Sequence, residues 1–255
     1  MDFEPSEDQR LLKGALRQFL SRRYDFAARI SASRSDPGYR PEIWQAFANE
    51  LGILGATLPV SHGGSGGGAG EQLAIMEEMG RALVIEPVAE TLFQAGAILV
   101  RSDSETARRL VAAIVEGTGR MAIAASEPGM RDEFADIETR AEWHDGSWIL
   151  NGCKAVVMTA PWATHLLIAA RSTSGLSLFA VPAEASGLTM QTFPTLDERR
   201  AADIWLRDVA IGSDAMVGKE GEGLALLEEW RDRAIAAMAA EAVGLLGRLL
   251  EDTIA

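Results

Sequence analysis

The sequence predicts an α+β protein with three parts: an N-terminal helical domain over residues 1–118, an antiparallel β-domain over 119–217, and the start of a second helical domain over 218–255. Three observations predict it. The apolar period changes from 3.6 to 2 near Met121. Asp145-Gly146 stands between Trp143 and Trp148, a strong hairpin signal. From Leu224 the period is helical again.

Each element has a local cause. Ser6 and Gln9 form a capping box ahead of Leu11, Leu12, Ala15, Leu16, Phe19 and Leu20 at helical spacing. Pro37-Gly38 breaks that pattern. Pro41 suits the first turn of a helix through Ile43, Trp44, Phe47 and Leu51, and Gly52 can end it. A glycine-rich loop, Gly63 to Gly70, leads into a helix over 71–83 with Leu73, Met76, Met79 and Leu83 inward. Further helices are expected over 89–100 and 104–116. Strands are expected at 166–170, 176–181, 188–193 and 203–206, with a second turn at Asn151-Gly152. Residues 218–223 read as a polar hinge. Leu227, Trp230, Ile235, Met238, Val243, Leu246 and Leu250 are spaced as one buried stripe, too wide for the rest of the chain to cover. Residues 247–255 read as helix interior without a cap, so the sequence is expected to be incomplete or its last helix to dock elsewhere.

Composition narrows the function. A net charge of −13 argues against nucleic acid and anionic membrane surfaces as partners. No run is long and apolar enough for a membrane span, and the acidic N-terminus has no signal core. A single cysteine, Cys153, excludes an intrachain disulfide and fits a cytoplasmic location. His62, His144 and His165 are isolated, so no metal site is expected. Gly64-Ser65-Gly66-Gly67-Gly68-Ala69 fits G-x-G-x-x-A, but no strand precedes it and no βαβ unit surrounds it. It reads as a flexible interhelical turn.

The stretch from Ala124 to Lys154 carries the chemistry. A short apolar strand ends in Ser126-Glu127-Pro128, and Asn151-Gly152-Cys153-Lys154 leads into Val156-Val157-Met158. In order and spacing this resembles the middle β-domain of the acyl-CoA dehydrogenases, with T-E-P and then N-G-x-K before a second flavin-contacting strand. Leu51-Gly52-Ile53, His62-Gly63-Gly64, Glu77-Glu78-Met79-Gly80-Arg81 and Glu241-Ala242-Val243-Gly244 are similar to family landmarks, as is Asp2-Phe3. The nearest resemblance is to small subunits of heteromeric members, such as those of pimeloyl-CoA dehydrogenase.

The resemblance implies FAD as cofactor, an acyl-CoA substrate, fatty acid metabolism and oxidation of a CH–CH bond. It places Ala125, Ser126, Val156 and Met158 at the flavin. It also exposes departures. Arg131-Asp132-Glu133 stands where the family has Gly-Ser-Asp near the phosphates, and Met158 replaces a hydroxyl donor. The family's general base, a Glu, is expected beyond this chain's end or on a partner. Some members place it at the position of Ala234, which has no acid; Glu228, Glu229 and Glu241 lie nearby and read as solvated or interface carboxylates, with Glu241 the first to mutate if a base lies within this chain. The expectation is therefore a small or non-catalytic subunit of a homo- or hetero-oligomer with a second acyl-CoA dehydrogenase subunit, binding FAD weakly or not at all alone. A cofactor-free scaffold of the same fold, or a flavin-dependent oxidase or monooxygenase, is the alternative.

Overall fold

A computed structural model describes residues 4–131 and 134–254. The landmark at Asp2-Phe3 and the expectation for Asp132-Glu133 lie outside the described residues.

Helix α1 (Glu7–Arg23) opens on the anticipated capping box and buries Leu16 and Leu20. Helix α2 (Phe26–Ser33), capped by Asp25, has no counterpart in the sequence reading. Its Arg29 and two serines hide the apolar spacing, and Arg29 is buried by donating to the carbonyls of Leu83 and Asp197. Helix α3 (Pro41–Asn49) starts at its proline. The glycine loop is a packed turn rather than a flexible one. Its amides at Ser65, Gly66 and Gly67 donate to the carbonyls of Gly55, Leu58 and Ala56, which leaves no amide cradle for phosphate.

Helix α4 (Ala69–Ala82) begins two residues early because the Glu71 carboxylate caps the Gly68 amide at 2.6 Å. Leu73 is exposed rather than inward, while Ala74, Ile75, Met76 and Met79 are buried. The helix expected over 89–100 is instead π-helical over Ala89–Gly96, closing in one α-turn, α5 (Ala97–Leu99). Helix α6 (Glu105–Val115) is capped by Ser104.

The strands are β1 (Met121–Ala124), β2 (Arg140–His144), β3 (Ser147–Met158), β4 (His165–Ser172), β5 (Gly175–Pro182), β6 (Leu188–Pro194), β7 (Arg200–Gly212) and β8 (Met216–Val217). The sheet order is β6-β7-β3-β2-β4-β5-β8, with β1 pairing β4. Pairing is antiparallel except for β1 with β4 and a single β2–β4 bridge, which are parallel. The hairpin turns at Asp145-Gly146 and packs Trp143 edge-to-face against Trp148, with ring centroids 5.2 Å apart. Strands β1, β4 and β5 are buried on both faces. Ile123, Leu167 and Leu178 face the helices while Ala124, Ile168 and Phe179 face a second core inside the β-domain, which is why these strands read as unbroken apolar runs.

Asn151-Gly152 is not a turn. It is a bulge inside a continuous β3, where pairing with β7 slips between Leu150 and Gly152. Asn151 is satisfied by reciprocal bonds with Asp208, at 3.1 and 2.8 Å. A Cβ on Gly152 would lie 2.5 Å from Thr139 Oγ1, so the glycine permits this close approach.

Residues Gly223–Ile254 form one helix, α7, about 48 Å long. It crosses α4 where Gly80 and Gly244 each meet the other helix's backbone. A Cβ on Gly80 would lie 1.9 Å from the Glu241 carbonyl oxygen, and one on Gly244 would lie 1.8 Å from that of Glu77. The expected single buried stripe is two faces. Leu226, Leu227, Ala237 and Ala240 are buried. Ile235, Met238, Val243, Leu246, Leu249, Leu250 and Ile254 form an exposed apolar face on the other side.

Candidate functional site

The exits of β1 and β3 meet at one edge of the β-domain. The Ala155 amide donates to the Ser126 carbonyl at 2.9 Å. This bond brings Ser126 and Val156, 30 residues apart in sequence, into one neighbourhood. Ser126 is exposed. Val156 is 56% exposed because a second bulge, between Lys154 and Val157, throws it outward. Its φ is +53°, in the left-handed region that a β-branched side chain rarely adopts. The Val156 amide donates to Asp203 Oδ1 at 2.9 Å, which holds the bulge against β7.

The other two predicted residues contribute less. Ala125 is buried, so it offers the site backbone groups and no side chain. Met158 is half-buried. Thr159, which the sequence reading passed over, has φ +59° and a fully buried hydroxyl without a hydrogen-bond partner among the described residues.

A second pair was also passed over, although both members lie inside the two motifs. Lys154 is buried, at 1% exposure, and its Nζ donates to Glu127 Oε1 at 2.6 Å. The Glu127 carboxylate also accepts from the Glu138 amide at 2.7 Å, the Thr139 amide at 3.0 Å and the Thr139 hydroxyl at 2.5 Å. Burial raises the Glu127 pKa, but the donors from Lys154, Thr139 and Glu138 outweigh it and leave the carboxyl below its ordinary value. Burial lowers Lys154 to about 8 despite the bond to Glu127. The signal available in sequence was the pairing of opposite charges, one in each motif, in otherwise apolar surroundings.

Beside this pair runs an open groove of about 980 Å³, lined by Glu127, Met130, Thr139, Arg140, Cys153 and Arg171 among others. Arg171 anchors its wall by donating to the carbonyls of Ile137 and Ala135. Glu241, the alternative base, lies elsewhere in a charged cluster. Its carboxyl is pushed up by burial and by Asp197, and pulled down by Arg199. Arg199 in turn donates to Glu90 on the π-helix, and its Nε is buried without a hydrogen-bond partner among the described residues. None of these neighbours belongs to the Ser126–Val156 edge. No group of three metal-ligating side chains occurs among the described residues.

Two sequence profiles match the chain: the acyl-CoA dehydrogenase N-terminal domain over residues 6–118 and the acyl-CoA dehydrogenase middle domain over 122–209. The chain belongs to the acyl-CoA dehydrogenase family. Acyl-CoA dehydrogenase FadE12 of Mycobacterium tuberculosis is 29% identical over 98% of this chain and 67% of its own length. Mitochondrial isovaleryl-CoA dehydrogenase of Pongo abelii is 28% identical over 98% of this chain and 62% of its own length. Among solved structures, the FAD complex of PigA superposes with a TM-score of 0.89 at 25% identity, covering 100% of this chain and 69% of that one. A variant of the Tcur3481-Tcur3483 steroid ACAD gives 0.86 at 29% identity, covering 97% and 65%. The chain thus spans about two thirds of the length of these relatives. Among the described residues, no helix is long and apolar enough to cross a membrane.

Among the described residues, those at this edge fit the ring half of FAD. An exposed valine beside an exposed serine hydroxyl suits the edge and face of a flavin ring. The pyrophosphate half has no matching cation on β3, because Lys154 is buried and engaged by Glu127. Two backbone groups are also taken: the Ser126 carbonyl by Ala155 and the Val156 amide by Asp203.

Proposed function

We propose that this chain is an FAD-dependent acyl-CoA dehydrogenase-type subunit that supplies the ring-facing edge of a flavin site and works in the cytoplasm with a second subunit of the same family. The observation carrying the reading is the Ser126–Val156 edge, exposed on the ring side while the strand's lysine is sequestered. The partner would add the phosphate contacts and the base that removes the α-proton of an acyl-CoA thioester. FAD supplies the hydride acceptor when bound. The residues here orient it: Ser126 by its hydroxyl and Val156 by apolar contact. A heteromeric assembly is supported by the exposed apolar face of α7 and by the two-component name of the Tcur3481-Tcur3483 relative.

The test is a fluorescence titration of the isolated chain with lumiflavin, which is the ring alone, and with FAD. Both should quench, with FAD no more than about tenfold tighter, because few contacts await its pyrophosphate. Adding the partner subunit should tighten FAD and not lumiflavin. A chain that purifies yellow and oxidises acyl-CoA unaided would overturn the proposal.

A further inference from the structure

We infer that the Glu127–Lys154 pair is a positioning device: it fixes the exit of β1 against the bulge of β3 and so sets where Ser126 and Val156 stand. The inference rests on the ring-edge reading above and adds to it the residues that build the edge.

The pair is poorly explained by stability alone. A buried ion pair gains little over well-packed apolar side chains of similar volume, because both charges lose their water. What this pair does have is connectivity. One carboxylate, Glu127, takes donors from β3 through Lys154 and from the entry to β2 through the Glu138 amide, the Thr139 amide and the Thr139 hydroxyl. Three segments are tied at one point. The Thr139 hydroxyl also sits against Gly152, where a Cβ would come within 2.5 Å, so the joint has no slack.

The ring edge is one residue away on each side of this joint. Ser126 precedes Glu127. Ala155 follows Lys154, and its amide bonds the Ser126 carbonyl. Lys154 is also the last residue of β3 in regular register before the bulge. It pairs with Ile204 of β7, and pairing resumes at Val157 with Ala202. Ala155 and Val156 therefore oppose Asp203 alone. A β-branched residue in the left-handed region persists only where its surroundings over-determine it. Here the restraints are Lys154 before it, Val157 after it and Asp203 beneath its amide.

The test compares the wild-type chain with the double variant Glu127→Gln/Lys154→Met, which removes both charges and leaves neither stranded. The readouts are exchange of the Ala155 amide, the Val156 methyl shifts and lumiflavin quenching. The expected result is a folded double variant in which Ala155 exchanges at least about tenfold faster, the Val156 methyls move and lumiflavin binds at least about tenfold more weakly. Unchanged Ala155 exchange and unchanged Val156 shifts in a folded double variant would overturn the inference.

A second measurement needs no change at the pair, and it decides the matter if the double variant does not fold. Burial lowers the Lys154 pKa to about 8. It is faced by Glu127 from the loop after β1, by the apolar Ile204 on β7 and by Cys153 on its own strand, so the experiment uses a Cys153→Ser background. As Lys154 loses its proton the Val156 methyl shifts should change and lumiflavin quenching should fall, with a midpoint at or below about 8 because Cys153 no longer raises Lys154. Val156 shifts that stay flat while lysine side-chain NMR shows Lys154 losing its proton would overturn the inference. If the wild-type chain does not quench lumiflavin at pH 7, the functional proposal fails, while Ala155 exchange and the Val156 shifts still report on positioning.

Discussion

Val156 and Thr159 are both β-branched, and both have positive φ within four residues of one strand end. Such conformations cost on the order of 1–3 kcal/mol each and cluster where function needs them. Val156→Gly should therefore leave the fold equally or more stable in urea, by up to about 1 kcal/mol, while weakening lumiflavin binding. A loss of stability without a loss of binding would show that Val156 serves the fold. The lysine two residues earlier gives a pH signature. Lys154 sits near 8 when folded, below its ordinary 10.5. Between those values the unfolded chain still holds a proton that the folded chain has released, so this residue's contribution to stability rises with pH across the window. Ring binding should fall over the same window, the opposite direction. With three lysines in the chain, Lys13, Lys154 and Lys219, NMR of the lysine side chains can follow the titration directly. At this scale the sequence pointed to Ser126 and Val156 through motif spacing. It did not reveal the pairing of Glu127 with Lys154 or the orphaned Thr159 hydroxyl, because both depend on tertiary packing of segments distant in sequence.

Among the elements, the α4–α7 crossing is the most constrained. Gly80 and Gly244 are mutually placed so that each faces the other helix's carbonyl, and both Cβ positions would fall under 2 Å from an oxygen. Gly80→Ala should destabilise the chain by about 1–3 kcal/mol in denaturant unfolding, despite alanine's better helix propensity. An unchanged midpoint would mean that the helices separate freely. Gly247→Ala, with open space around its Cβ, is the control and should be neutral or slightly stabilising. The glycines were visible in sequence as landmarks, but their reason was not, since a helical glycine announces neither a crossing nor a partner. The same limit explains Asn151-Gly152. The dipeptide favours a tight turn locally, yet it serves as a bulge because Asp208 satisfies the asparagine and Thr139 crowds the glycine. Helix α2 was missed because its buried arginine breaks the apolar pattern that marks a helix.

Across the whole molecule, the fold class and the order of helical and β segments were legible because the apolar period changes twice and each change is long. The two-sided character of α7 was legible as an excess of apolar residues and not as a geometry. Its buried face docks Trp230 on Gln94 at 2.8 Å and pairs Arg81 with Glu251, while Met238, Leu246 and Leu250 remain open to solvent. A patch of this kind is expected to be an interface. Replacing Met238, Leu246 and Leu250 by Glu should preserve the far-UV spectrum and abolish association seen by light scattering. A wild-type chain that stays monomeric at every concentration and binds no family partner would refute that expectation. If α7 is covered only on association, the folded state is coupled to mass action. Its melting temperature should climb with protein concentration, by the logarithm of the amount added, and the dependence should vanish in the triple glutamate variant. A melting temperature measured on a dilute sample would then describe a different species from the one at work in a crowded cell.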